Sequence, residues 1–167
     1  MAFQIGEKVV CPNQGIGTIE NVSARAFGNR FEKFYLLRLA CGSMMVPFSH
    51  VGDVGLRKVR TTGEWARVLS FLSSGRCARC RDWKDRFKQN SEKMRAGEPL
   101  QLAEVLKSLL LLQREKPLSF REKRMLDQAR QMLMVELSIA RGLAPEDAQS
   151  MLRGALAKAT LELPPPR

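Results

Sequence analysis

Cys77-Ala78-Arg79-Cys80 has the spacing of half a zinc site or of a redox dithiol. A structural zinc needs two further ligands. The chain offers His50, Cys11 and Cys41, all far away in sequence and none closely paired. A thioredoxin-like dithiol belongs in a βαβ setting, whereas this motif follows a helical pattern in an arginine-rich stretch. The four cysteines therefore read as free thiols of a reducing compartment, with no metal and no cofactor expected. His50 has no nucleophile or carboxylate at motif spacing and reads as a loop residue. Gly15-Ile16-Gly17 is a strand-entry turn that lacks the rest of a phosphate-cradling motif. Nothing here argues for an enzyme.

Trp83 is the more informative residue. It stands among Arg76, Arg79, Arg81, Lys84, Arg86 and Lys88. An aromatic within a basic cluster can wedge between or stack on bases while the cations hold phosphates. The competing reading is structural: at 100° per residue Trp83 shares a stripe with Phe87 and Met94, and such stripes are usually core. Lys84, Lys88 and Arg95 line one flank of that stripe, and Arg86 and Lys93 the other. Lys123 and Arg124 form a second candidate contact at a predicted helix start. Cations there oppose the helix dipole, which an anionic partner would offset.

The net charge agrees with a polyanionic partner. The 167 residues carry 28 Lys or Arg against 17 Asp or Glu, a formal charge of +11. Most of the excess lies beyond residue 60, with 20 cations against 13 anions. Such a field attracts nucleic acid or an anionic membrane surface. No apolar run approaches a bilayer span, and Met1-Ala2-Phe3-Gln4 lacks the basic and apolar regions of a signal peptide. The expectation is a monomeric cytoplasmic protein, associated with the nucleoid and not with membrane.

The elements that must position these residues change character near residue 60. From Gly6 to Val59, β-type runs at Lys8 to Cys11, Gly17 to Phe27, Phe31 to Ala40, Met44 to Phe48 and Val54 to Val59 alternate with turn residues. Five short strands predict a small antiparallel barrel of SH3-like or Tudor-like type over residues 1–60. Thr61-Thr62-Gly63-Glu64 then supplies a capping box, and the apolar period becomes about 3.6. Five helices are predicted over 61–163: one through Trp65 to Leu72, one from Asp82 to Gly97, one from Pro99 to about Arg114, one opened by Ser119-Phe120-Arg121-Glu122 and stopped at Gly142, and one begun by Ala144-Pro145-Glu146. The four leucines Leu109 to Leu112 place the third of these near the middle of a bundle. Residues 164–167 read as a disordered tail. The fold class is α+β in two domains.

At this point the residues resemble a family. Gly6-Glu7-Lys8-Val9-Val10-Cys11-Pro12-Asn13-Gln14-Gly15-Ile16-Gly17, Met45-Val46-Pro47 and Val54-Gly55-Leu56-Arg57-Lys58-Val59 resemble the RNA polymerase-interacting domain of CarD and CdnL proteins, a module shared with transcription-repair coupling factors. Trp83 and the run Ser119 to Leu133 resemble the helical half that distinguishes CarD from the repair factor. The resemblance implies a Tudor-like domain on the β-subunit lobe of RNA polymerase and a helical domain on promoter DNA at the upstream edge of the bubble. There a tryptophan at the position of Trp83 would resist bubble collapse and stabilise the open complex. It also implies that Arg25 faces polymerase and that Arg86, Lys88 and Lys123 face DNA; Arg79, Lys84 and Arg124 of the same basic clusters are expected beside them on DNA, and Met44, Met45, Val46 and Pro47 beside Arg25 on polymerase. Two departures stand out: the family often has tyrosine where Cys11 stands, and some members have a basic residue where Met44-Met45 stand.

Two alternatives belong to other classes: a stand-alone nucleoid protein that never touches polymerase, and a zinc or thiol-redox protein. For either DNA-binding reading the affinity should fall steeply with salt, each phosphate contact adding about −0.9 to the slope of log affinity against log salt. A flat response in a fluorescence-anisotropy titration would contradict this.

Overall fold

The structure, a computed structural model, describes residues 3–11, 15–39, 42–77 and 82–163; the side chains of Phe27 and Trp83 lie outside that description. The chain divides into two compact units, Met1–Val59 and Arg60–Arg167.

In the first unit, strands β1 (Lys8–Cys11), β2 (Gly15–Phe27), β3 (Arg30–Leu39), β4 (Gly42–Pro47) and β5 (Arg57–Lys58) form one sheet in the order β4-β3-β2-β1-β5. Every pairing is antiparallel. The β2–β3 hairpin turns on Gly28-Asn29, with Phe27 opposite Arg30 and Gly28 at φ +60. Glycine in the first central position is the requirement of a type II′ turn, whose twist matches that of the strands. A register irregularity between Ile19 and Asn21 marks a bulge where β2 passes from β1 to the free hairpin. Gly17 is needed for packing, since a Cβ there would stand 2.8 Å from the Leu39 side chain.

Alternation sends Val9, Cys11, Ile19, Tyr35, Leu37 and Val46 into one core with Phe3 and Leu56. Tyr35 is its polar anchor: its hydroxyl accepts from the Phe3 backbone N–H at 3.1 Å, and its ring stacks on Phe48 at 4.3 Å. Two expectations change. The five strands make an open sheet and not a closed barrel, with β4 and β5 as its edges. Val54 lies in the single helical turn α1 (Val51–Val54) and not in a strand; β5 is reduced to two residues. With strands this short at the rim, few ladder bonds are available for closure.

The second unit holds α2 (Thr62–Ser74), α3 (Trp83–Ala96), α4 (Pro99–Glu115), α5 (Phe120–Arg141) and α6 (Pro145–Lys158). Both predicted capping boxes form, Thr61 with Glu64 and Ser119 with Glu122. Gly97 and Gly142 close their helices in the left-handed region, at φ +71 and +63. Pro99 and Pro145 occupy first-turn positions, where a missing N–H costs nothing.

α4 runs through the core. Leu102, Ala103, Val105, Leu106, Leu109 and Leu110 are buried with Trp65, Val68 and Leu72 of α2 and Leu126, Ala129, Leu133 and Leu137 of α5, and Leu152 and Leu156 of α6, which packs on α2 and α5, complete the same core. Of the four consecutive leucines, Leu111 and Leu112 are only half-buried. Arg60 joins this unit at its first residue, its backbone N–H donating to Glu136 at 3.1 Å and its guanidinium paired with Glu98. The hydrogen bond to Glu98 raises the Arg60 pKa. Among the described residues no helix is long and apolar enough to cross a membrane.

Leu109→Ala should destabilise the helical unit by about 2–5 kcal/mol, the cost of lost burial plus an uncollapsed cavity. Urea denaturation followed by circular dichroism measures it, and a change under 1 kcal/mol would contradict the central position given to α4 (about one methylene's worth of burial).

Candidate functional site

The basic segment of the second unit is built on two helix starts. Asp82 caps α3, its carboxylate accepting from the Lys84 backbone N–H at 3.0 Å. Trp83 is the first residue of α3; its side chain, like Arg79, Cys80 and Arg81, lies outside the described part of the structure. Further along the helix, Phe87 and Met94 pack against the core, so the apolar stripe is a core stripe at those two positions. Lys84, Lys88 and Arg95 are exposed. Arg86 is not. Its Nη2 donates to Glu122 Oε2 at 3.3 Å, and the two side chains are 14% and 13% exposed.

The start of α5 supplies the second cluster. Ser119 Oγ accepts from the Glu122 backbone N–H while Glu122 Oε1 accepts from Ser119, both at 3.3 Å. This closes the turn that carries Arg121 and Arg124 exposed and Lys123 half-buried. Phe120, 70% exposed, sits on the same turn. It lies opposite the stripe of Met125, Leu126, Ala129 and Leu133, and that helical-wheel position is the signal by which its exposure could have been foreseen.

Behind α3 lies a polar cluster that the sequence reading missed. Lys107 is buried, and its Nζ donates to the carbonyls of Phe71 at 2.9 Å and Gly75 at 2.6 Å, capping the C-terminus of α2 from a neighbouring helix. Burial lowers the Lys107 pKa. Cys77 is a free, half-buried thiol whose pKa is raised by burial, the opposite of what a reactive thiolate needs. Cys11 is likewise free and buried. Among the described residues no group of three or more His, Cys, Asp or Glu could hold a metal ion.

In the strand unit, Arg25 is exposed on β2 opposite Glu32. Met44, Met45 and Pro47 are half-buried on edge strand β4, and Met44 packs against the core. Val46 is 1% exposed, so its side chain belongs to the core and only its backbone is at the edge. Among the described residues β4 pairs with β3 alone, which leaves one side of it with unpaired donors and acceptors.

Residues 3–60 match the model of the CarD-like/TRCF RID domain, and residues 67–153 that of the CarD C-terminal domain. The chain belongs to the CarD/CdnL family. It is similar to a candidate transcription factor, YdeB of Bacillus subtilis (strain 168), with 31% identity over 150 residues that cover 89% of this chain and 98% of YdeB. Membership makes this CarD/CdnL protein a transcription regulator and points away from catalysis. Its RID module is an RNA polymerase-interacting domain, so the transcription machinery is its class of partner.

Because Ser119 closes the turn that carries Lys123 and Arg124, Ser119→Ala should cost about 1 kcal/mol of stability through the lost N-cap. Ser119→Asp should restore most of it in the same denaturation assay; no loss with alanine would contradict the capping role.

Proposed function

We propose that this protein binds the β-subunit lobe of RNA polymerase through its strand unit and holds promoter DNA at the upstream edge of the bubble through its helical unit, prolonging the open complex. The observation that carries the reading is the pairing, in one chain, of an RID module with a helical unit whose exposed cations cluster at two helix starts: Lys84 and Lys88 on α3, Arg121 and Arg124 on α5. Cations on helix surfaces hold phosphates without reading bases, so promoter choice would come from polymerase and from DNA deformability.

In this proposal Arg25 and the edge strand β4 face polymerase. The exposed guanidinium supplies a charge contact, Met44 and Met45 adapt to an apolar partner groove, and the unpaired edge accepts a partner strand. Lys84, Lys88, Lys123 and Arg124 hold the DNA backbone, together with Arg79. Trp83 acts as the wedge at the fork, where partial unstacking is offset by the contacts that the distorted duplex makes.

Two variants separate the halves of this proposal. Trp83→Ala should leave folding and polymerase binding intact while shortening the open-complex lifetime at least severalfold, on the order of a lost stacking contact of 1–3 kcal/mol. Arg25→Glu should weaken capture of the polymerase β subunit while leaving DNA affinity in the absence of polymerase unchanged. A Trp83→Ala protein that melts early would identify Trp83 as core. An Arg25→Glu protein that still binds polymerase fully would remove Arg25 from the interface.

A further inference from the structure

Arg86 has the sign of charge that attracts DNA, yet its guanidinium is turned inward. Nη2 is spent on Glu122, and Nε is buried without a partner among the described residues. An arginine so placed presents little to a phosphate. Glu122 is equally committed. Its Oε1 accepts from the backbone N–H and the hydroxyl of Ser119, at 3.3 Å and 3.1 Å, while Oε2 accepts from Arg86. One carboxylate therefore closes the first turn of α5 and grips the start of α3.

α3 needs that grip. Among its described side chains the apolar contribution to the core is limited to half-buried Phe87 and Met94, and the one buried side chain is Asn90. A second ion pair, Lys93 Nζ to Glu104 Oε2 at 2.8 Å, ties the other end of the helix to α4. The helix is thus fastened at both ends by polar contacts. Exposed Lys84 and Lys88 lie within a turn of Arg86, and exposed Arg121 and Arg124 within a turn of Glu122.

We infer that Arg86 and Glu122 are positioning residues: their ion pair fixes the separation of the basic helix starts of α3 and α5, and with it the spacing at which the DNA backbone is held. The inference rests on the proposed function. It replaces direct phosphate contact by Arg86 with an indirect role, and it gives Glu122 a role opposite to that of an ordinary surface anion. Removing an anion from a basic surface should tighten DNA binding through the long-range field. Removing the strut should weaken it.

The test uses the full-length protein, with duplex promoter DNA alone and with polymerase. Glu122→Gln retains capping-box chemistry, since glutamine serves at that position, but loses the ion pair. It should weaken DNA affinity and shorten the open-complex lifetime by about two- to fivefold, the range of a partly screened pair. Arg86→Gln should do the same and leave the salt slope unchanged, where a phosphate-bound arginine would remove about 0.9 from it. The double variant should be no worse than either single one, because the two residues act as a unit.

Tighter binding by Glu122→Gln, a reduced slope for Arg86→Gln, or additive losses would overturn the inference. Should Glu122→Gln fail to fold, the Arg86→Gln slope decides by itself. A wild-type protein that binds DNA but does not prolong the open complex sinks the proposed function alone, and the affinity cycle still judges the strut. A wild-type protein that binds no DNA overturns both.

Discussion

Burial of α4 is the constraint from which the helical unit follows. A helix with apolar residues on most of its circumference has to be covered, and α2 and α5 each turn an apolar stripe toward it while α6 closes the core against α2 and α5. Those stripes leave polar outer faces, so most cations of a chain with net charge +11 lie at the surface, while Arg130 of α5 is buried with its guanidinium paired to Asp127. Lys107 is the exception within α4. Its ammonium is retained in the interior because the carbonyls of Phe71 and Gly75 at the end of α2 receive it, that of Phe71 also accepting from the Gly75 N–H.

α3 occupies a different position. Among its described side chains only Phe87 and Met94 pack on the core, and it carries cations that repel those at the start of α5. Carboxylates at its two ends, Glu122 and Glu104, offset both deficits. A helix fastened in this way is a rigid carrier for exposed charges only while its ion pairs persist. Half-burial of the Arg86–Glu122 pair makes it less sensitive to salt than a fully exposed bridge would be.

The strand unit obeys a separate logic. Its core is small, about eight residues gathered around Tyr35, and its sheet is open. An open edge is a hazard in an isolated domain, and a protein that retains one gains from having a partner strand to cover it. Burial of Val46 beside half-buried Met44, Met45 and Pro47 shows how one strand divides its duties by the alternation of its side chains.

Much of this was legible from the chain alone, because the signals concerned are local. Capping boxes at Thr61 and Ser119, the stops at Gly97 and Gly142, and the first-turn prolines Pro99 and Pro145 depend on residues a few positions apart, and each is found where those residues place it. The two-unit α+β organisation likewise follows from a change of apolar period, and the family from motifs that run along most of the chain. Closure of the sheet was not legible, since it depends on whether strands distant in sequence meet at the rim. Nor was the inward turn of Arg86, because an amphipathic pattern gives the direction of a side chain relative to its own helix and says nothing of a carboxylate 36 residues away. Residue types and spacing determined which elements form and where charge accumulates; only the packing of helix on helix decided which cations are spent on carboxylates and which remain exposed.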